Sequence, residues 1–245
     1  MPPSVSLARR RARLLLPALS LTVPLLGVLV PRPAAAQVGH RPDHSPYEDV
    51  RFGQTLSLLA GWLMPGRDLA GVAPRASSLG ELRYDIGVGG PASLFVRYGM
   101  ARSERDVLLP ERARATRVYE VRPVTTHAVD GGLDIALTGA KTWRHLVPSL
   151  FAGAGLASDF AQADTGGYRF GSKFAITWGG SLRFLPRRGI LLRADLTNRF
   201  WQYDYPDRFF VKGADTTSIL TDTRRRSAWR SNWGASAGVV LPLFR

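Results

Sequence analysis

The chain has 245 residues, 45% of them hydrophobic and 21% charged, with a formal net charge of +14 and no cysteine. That length gives one domain of modest size or two small ones, and the hydrophobic fraction excludes wholesale disorder. Without cysteine there is no disulfide framework, no thiolate metal site and no cysteine nucleophile.

The first segment reads as an export signal. Arg9, Arg10, Arg11 and Arg13 precede an apolar run from Leu14 to Val30, and Ala34-Ala35-Ala36 supplies the small residues of an A-x-A cleavage site. Residues 1–36 are therefore expected to be a signal peptide cleaved after Ala36. A retained anchor is disfavoured, because the run is near the lower limit for a span and holds Pro17 and Pro24. The segment carries five Arg and no acid, so the remainder holds 28 basic and 19 acidic residues, a net +9. Residues 37–50 are polar and turn-rich and read as a periplasmic lead-in. His40 and His44 have a spacing that suits a metal only on a helix, and Pro42 between them removes that meaning, so no metal site is expected.

From residue 51 onward the pattern alternates with a period of two, the signature of half-buried strands. Leu82, Tyr84, Ile86 and Val88 alternate with Arg83, Asp85, Gly87 and Gly89, and Ile190, Leu192, Ala194 and Leu196 with Leu191, Arg193, Asp195 and Thr197. The same reading predicts eight strands, at 52–64, 79–90, 92–103, 126–139, 146–158, 170–185, 189–203 and 230–244. Each can cross a bilayer at a tilt, which takes about 9–11 residues. The connections alternate in length. Gly90-Pro91, Ala140–His145 and Pro186–Arg188 are short, whereas 65–78, 104–125, 159–169 and 204–229 are long. Antiparallel strands put alternate connections at opposite ends, and short periplasmic turns with long external loops are the pattern of outer-membrane barrels. The expected fold is all-β: an eight-stranded antiparallel up-and-down transmembrane barrel over residues 51–245.

Parity assigns the two faces. Ile86, Val96, Trp178, Leu192 and Leu196 should face lipid. Arg83, Asp85, Arg97, Asp134, Lys173, Arg183, Arg193 and Asp195 should point into a lumen that eight strands leave only wide enough for side chains. Buried charges must pair, and Arg97 is the expected partner of Asp85. Amphipathic rings favour the headgroup level, so Trp62, Tyr98, Trp201 and Trp233 should mark the external interface and Trp143, Phe184 and Phe244 the periplasmic one. Trp178, in mid-strand, does not fit that rule.

The chain ends Ser236-Ala237-Gly238-Val239-Val240-Leu241-Pro242-Leu243-Phe244-Arg245. Ser236, Gly238, Leu241 and Leu243 resemble the polar residue, glycine and two hydrophobic positions of the terminal-strand signal of bacterial outer-membrane barrels. That signal usually stops at an aromatic residue, and here Phe244 is followed by Arg245. The mature region as a whole resembles the small OmpA/OmpX/OmpW-like barrels. The resemblance implies an outer-membrane location, handling by the barrel-insertion machinery, contact with outer-membrane lipid and lipopolysaccharide, a monomeric state and no cofactor.

Some barrels of this architecture are lipid A acyltransferases or deacylases, which need a nucleophile and a base. His127, at an external strand end, is the one histidine near the outer leaflet. Ser103 or Ser172 would have to approach it, with Glu104 or Asp130 as orienter. Arg224, Arg225 and Arg226 form a basic loop segment. It is a candidate for binding lipopolysaccharide phosphate, and equally a solvated charge run; nucleic acid is not expected as a partner. The expected function is that of a structural or surface-binding barrel without catalytic activity; the alternative is a narrow pore or small hydrophobic-solute conduit, and the second alternative a lipid A-modifying enzyme.

Overall fold

A computed structural model of the chain describes residues 45–50, 53–186 and 188–244. The expected signal peptide, the first part of the lead-in, Arg187, Arg245 and the side chain of Phe244 lie outside the described residues.

The described residues form ten strands: β1 Tyr47–Asp49, β2 Gln54–Met64, β3 Ser77–Gly89, β4 Ala92–Leu108, β5 Val118–Ala136, β6 Lys141–Trp143, β7 Leu146–Ser158, β8 Ser172–Phe184, β9 Leu191–Asp204 and β10 Ser227–Phe244. Eight of them pair in the order β7-β5-β4-β3-β2-β10-β9-β8, and β7 pairs with β8 to close the ring. Every pairing in the ring is antiparallel. Among the described residues the only helical turns are short 3-10 segments at Arg114–Thr116 and Asp207–Phe210. The ring leaves no free edge, which is what a sheet needs to cross hydrocarbon.

The three short connections share one end of the ring and the four long ones the other. At the short end, Gly89 and Gly90 take φ of 136° and 55° to turn β3 into β4. The turn between β5 and β7 is more elaborate than its sequence suggests. Arg144 and His145 both adopt left-handed backbone, φ 49° and 67°, folding β6 back on β7 through Trp143 and Leu146. The end of the lead-in, β1, then pairs along β6, with Tyr47 opposite Trp143 and Asp49 opposite Lys141. Val50 N donates to Ala140 O at 3.0 Å and Arg144 N to Pro46 O at 2.8 Å.

The expected loop 104–125 is largely strand. β4 and β5 continue pairing as far as Leu108 and Val118, leaving only 109–117 as a connection. Residues 118–123 of β5 are exposed on both faces, and the outer half of β4, Ser103–Asp106, is polar at every position although Arg105 is buried, so neither stretch shows the apolar alternation that marks a half-buried strand. Gly153 permits a close approach elsewhere in the ring, since a Cβ there would lie 2.2 Å from the Gly131 carbonyl oxygen.

Val96, Trp178, Leu192 and Leu196 are exposed on the outer surface, together with Leu58, Leu133, Leu150, Ile176 and Leu241; Ile86 is half-buried on the same face. This continuous apolar exterior surrounds an interior of buried charges and hydroxyls. Trp62, Tyr98, Trp143 and Phe184 are exposed, and Trp178 packs edge-on against Trp233 with centroids 5.1 Å apart. Trp201 does not mark an interface. It shares the parity of Arg193 and Asp195 and is 2% exposed, inside an aromatic cluster with Tyr168, Phe170, Tyr203, Tyr205 and Phe209. Strand parity here overrides the preference of tryptophan for headgroups. Leu108 joins the cluster from the end of β4 and Val72 and Leu220 from the connections, so the external loops fold inward onto the barrel mouth.

Candidate functional site in the barrel lumen

Parity brings charges from β3, β5 and β9 into one layer across the lumen. Arg83 pairs with Asp85 at 2.8 Å, with Asp195 at 3.3 Å and with Asp134. Arg193 pairs with Asp195 at 2.7 Å, Asp85 at 3.0 Å and Asp134 at 3.3 Å. Two guanidiniums thus share three carboxylates. Arg183 leans toward this layer, half-buried, without an ion pair among the described residues. With it, three cations balance three anions.

A second layer uses β3, β4, β5 and β9. Arg97 pairs with Asp130 at 2.8 Å and Glu81 at 3.8 Å, and Arg199 pairs with Glu81 at 2.5 Å and Asp130 at 3.2 Å. Arg97 also donates to Thr197 Oγ1 at 2.8 Å, and Ser236 Oγ donates to Glu81 Oε2 at 2.6 Å. This layer is neutral as well. Phe95 and Phe151, packed edge to face, lie between the two layers. The Arg83 guanidinium is 4.2 Å from the Phe95 centroid, and that of Arg97 is 5.2 Å from the Phe151 centroid. Such cation–π contacts strengthen when water is excluded.

Two expectations need correction. Arg97 does not pair with Asp85. The β4–β5 register sets Arg97 directly opposite Asp130, so the guanidinium is satisfied by the nearer carboxylate. Lys173 belongs to neither layer. It lies near the start of β8 at the external end, where its ammonium meets the exposed Asp204. Glu81, Asp130 and Arg199, by contrast, complete the second layer without having been singled out as lumen groups. Each continues the parity of a residue that was: Glu81 that of Arg83, Asp130 that of Asp134, Arg199 that of Asp195.

Toward the external mouth, Arg105 binds Asp164 at 2.6 Å and lies 5.0 Å from the Tyr168 centroid. The loop beyond is held by Asp215, which accepts from Arg114 N at 2.7 Å and from Thr217 Oγ1 at 2.7 Å. These bonds, the Arg114 amide first, hold the exposed Asp215 carboxyl down at about 2.

The remaining sequence candidates are dispersed. Ser236 and Gly238 face inward, and a Cβ at Gly238 would lie 1.9 Å from Leu58 O; Leu241 and Leu243 are exposed on the outer face. Arg225 and Arg226 are exposed and pair with Asp222 at 3.4 Å and Asp207 at 2.6 Å, while Arg224 is exposed beside them. Among the described residues no catalytic constellation forms around His127. Its Nδ1 is 2.7 Å from Tyr98 Oη and its ring packs against Phe160. Ser103 Oγ donates to Arg75 O, Ser172 Oγ to Ser158 Oγ, and Asp130 points into the lumen. Among the described residues no cluster of metal-ligating groups occurs.

No family model and no curated protein matches the sequence. Among solved structures the chain is similar to the N-terminal β-barrel domain of Pseudomonas aeruginosa OprF, at 12% identity and TM-score 0.41, over 78% of this chain and 98% of that one. It is also similar to Ail, the attachment invasion locus protein of Yersinia pestis. The match to Ail crystallised with the heparin analogue sucrose octasulfate has 15% identity and TM-score 0.36, over 77% of this chain and 99% of that one. The match to Ail in a phospholipid bilayer nanodisc has 13% identity and TM-score 0.37, over 78% and 99%. Eight strands closed into a ring, an apolar band outside it and paired charges within make the chain an integral β-barrel protein of the outer-membrane type.

Proposed function

We propose that this outer-membrane barrel is non-conducting and non-catalytic, and that it acts as a structural or surface-binding protein through its external end. The observation that carries the reading is the pair of neutral charge layers with Phe95 and Phe151 between them. A conducting pore needs a continuous wet path, usually lined by charges of one sign. Here opposite charges fill the cross-section and neutralise one another, and the aromatic cluster at the mouth adds a second obstruction. The external segments 65–78, 101–126, 158–173 and 204–230 carry sixteen basic and eleven acidic side chains, which favours anionic partners such as lipopolysaccharide. On this reading the terminal-strand residues Ser236, Gly238, Leu241, Leu243 and Phe244 serve recognition by the barrel-insertion machinery, and the protein works as a monomer. Swelling of proteoliposomes in small sugars tests the central point. Proteoliposomes should swell no faster than empty vesicles, and size-dependent sugar entry would overturn the reading.

A further inference from the structure

The strand register builds a second feature, outside the lumen. Trp62 lies opposite Ser78, Ser78 opposite Arg102, and Arg102 opposite Thr125, so four outward-facing residues form one row across β2–β5. Arg102 is exposed, and neither it nor Ser78 nor Thr125 has a side-chain hydrogen bond or ion pair among the described residues. A groove of about 420 Å³ opens here, lined by Trp62, Arg75, Ser78, Arg102, Ser103 and Glu104. Its upper wall is pinned: Arg75 N donates to Glu104 O at 2.8 Å, and Ser103 Oγ donates to Arg75 O at 2.5 Å. The Arg75 guanidinium is already engaged by Asp106 at 2.7 Å and Glu104 at 3.8 Å. Arg102 is therefore the guanidinium left with donors to spare, flanked by two hydroxyls.

The row directly below is apolar from β2 to β4, and small at Ala60 and Gly80. Ala60 lies opposite Gly80 and Gly80 opposite Met100, and a Cβ added at Gly80 would meet nothing within 4 Å. The missing side chain at Gly80 therefore leaves a trough one residue deep directly beneath the polar row, bounded below by the exposed Leu58, Leu82 and Tyr98. We propose that this groove seats one outer-leaflet lipid, its phosphate on Ser78, Arg102 and Thr125 and an acyl chain in the trough at Gly80. A guanidinium binds phosphate through paired N–H donors, and Trp62, half-exposed beside it, sits where an indole favours the headgroup level. A free phosphate would have no use for the trough, which favours a lipid. The proposal rests on the surface-binding reading and gives it a site away from Arg224–Arg226.

The test is native mass spectrometry of the refolded barrel in detergent, with bisphosphorylated lipid A, dephosphorylated lipid A and inorganic phosphate as probes. The wild type should hold one bisphosphorylated lipid A. Arg102→Ala should weaken it about tenfold, as loss of a charged hydrogen bond does, and should leave the weaker binding of the dephosphorylated lipid unchanged. Gly80→Phe should weaken both lipids; Ala60→Phe blocks the same trough if that variant fails to assemble. Unchanged binding in Arg102→Ala and in the trough variant overturns the proposal, as does displacement of the lipid by millimolar inorganic phosphate. If binding is instead lost when Arg224, Arg225 and Arg226 are replaced by Ala, this site is wrong while the surface-binding reading stands. Sugar entry in the swelling assay would overturn the non-conducting reading without touching this one.

Discussion

Arg83 and Arg193 bind the same three carboxylates, those of Asp85, Asp134 and Asp195, although their strands are separated in the ring by β2 and β10. Arg83 meets Asp85 and Arg193 meets Asp195 along one strand each, while Arg83–Asp195 and Arg193–Asp85 cross the lumen between β3 and β9. Each buried charge costs several kcal/mol to desolvate, and sharing three acids between two guanidiniums offsets that cost for all five groups together.

Removing one acid should expose this coupling. Asp195→Ala leaves Arg83 and Arg193 with fewer counter-charges in a water-poor interior, and the expected loss of stability is about 3–5 kcal/mol. Asp130→Ala should cost a similar amount, because Arg97 and Arg199 would retain only Glu81. Urea unfolding of the barrel in lipid vesicles measures both. Unchanged stability in either variant would mean that water, not protein, solvates the arginines.

The outer face should show a depth dependence. Leu196, opposite Gly180 and Ala235, is in mid-strand, whereas Leu192 lies opposite Phe184 at the end of β8. Leu196→Arg should cost about 2–4 kcal/mol and Leu192→Arg only about 0–1 kcal/mol. Equal costs in the same unfolding assay would place the bilayer elsewhere on the barrel.

Tryptophan quenching separates the two faces. In single-tryptophan variants, brominated acyl chains should quench Trp178 and Trp62 and leave Trp201 bright, because Trp201 is buried among Tyr203 and Phe170 inside the barrel. A quenched Trp201 would show that the strand parity is inverted.

Acid should release the external loop. The Asp215 carboxyl, held at about 2 mainly by the Arg114 amide, is depressed from 3.8, so what it contributes is present above the ordinary value and lost as pH falls through the folded one. The Arg114 amide resonance should titrate with a midpoint near 2. A midpoint near 3.8 would show a free carboxylate.

The fold was legible because a barrel in lipid inverts nothing in the period of two: Leu82, Tyr84 and Ile86 against Arg83 and Asp85 name a strand whichever face is buried. The length alternation of the connections then ordered the strands. The outer halves of β4 and β5 were not legible, since 118–123 are wet on both faces and the buried face of outer β4 begins with a charged residue, Arg105, so the apolar alternation fades. In the lumen the residue types and parity were readable, but pairing was not. Register decides that Arg97 meets Asp130, and the β4–β5 register runs on to the 109–117 connection, well past the strand end that the sequence pattern marks. The aromatic cluster at the mouth was hidden for another reason: Val72, Tyr168, Phe209 and Leu220 are scattered through loops and converge only when those loops fold inward.

Single-channel recording in planar bilayers tests the closed lumen most directly. The wild-type barrel should insert without discrete conductance steps, while the double variant Arg83→Ala/Arg193→Ala, which removes both guanidiniums of the first layer, should flicker open. Steady ohmic steps in the wild type, unchanged in the double variant, would contradict the account.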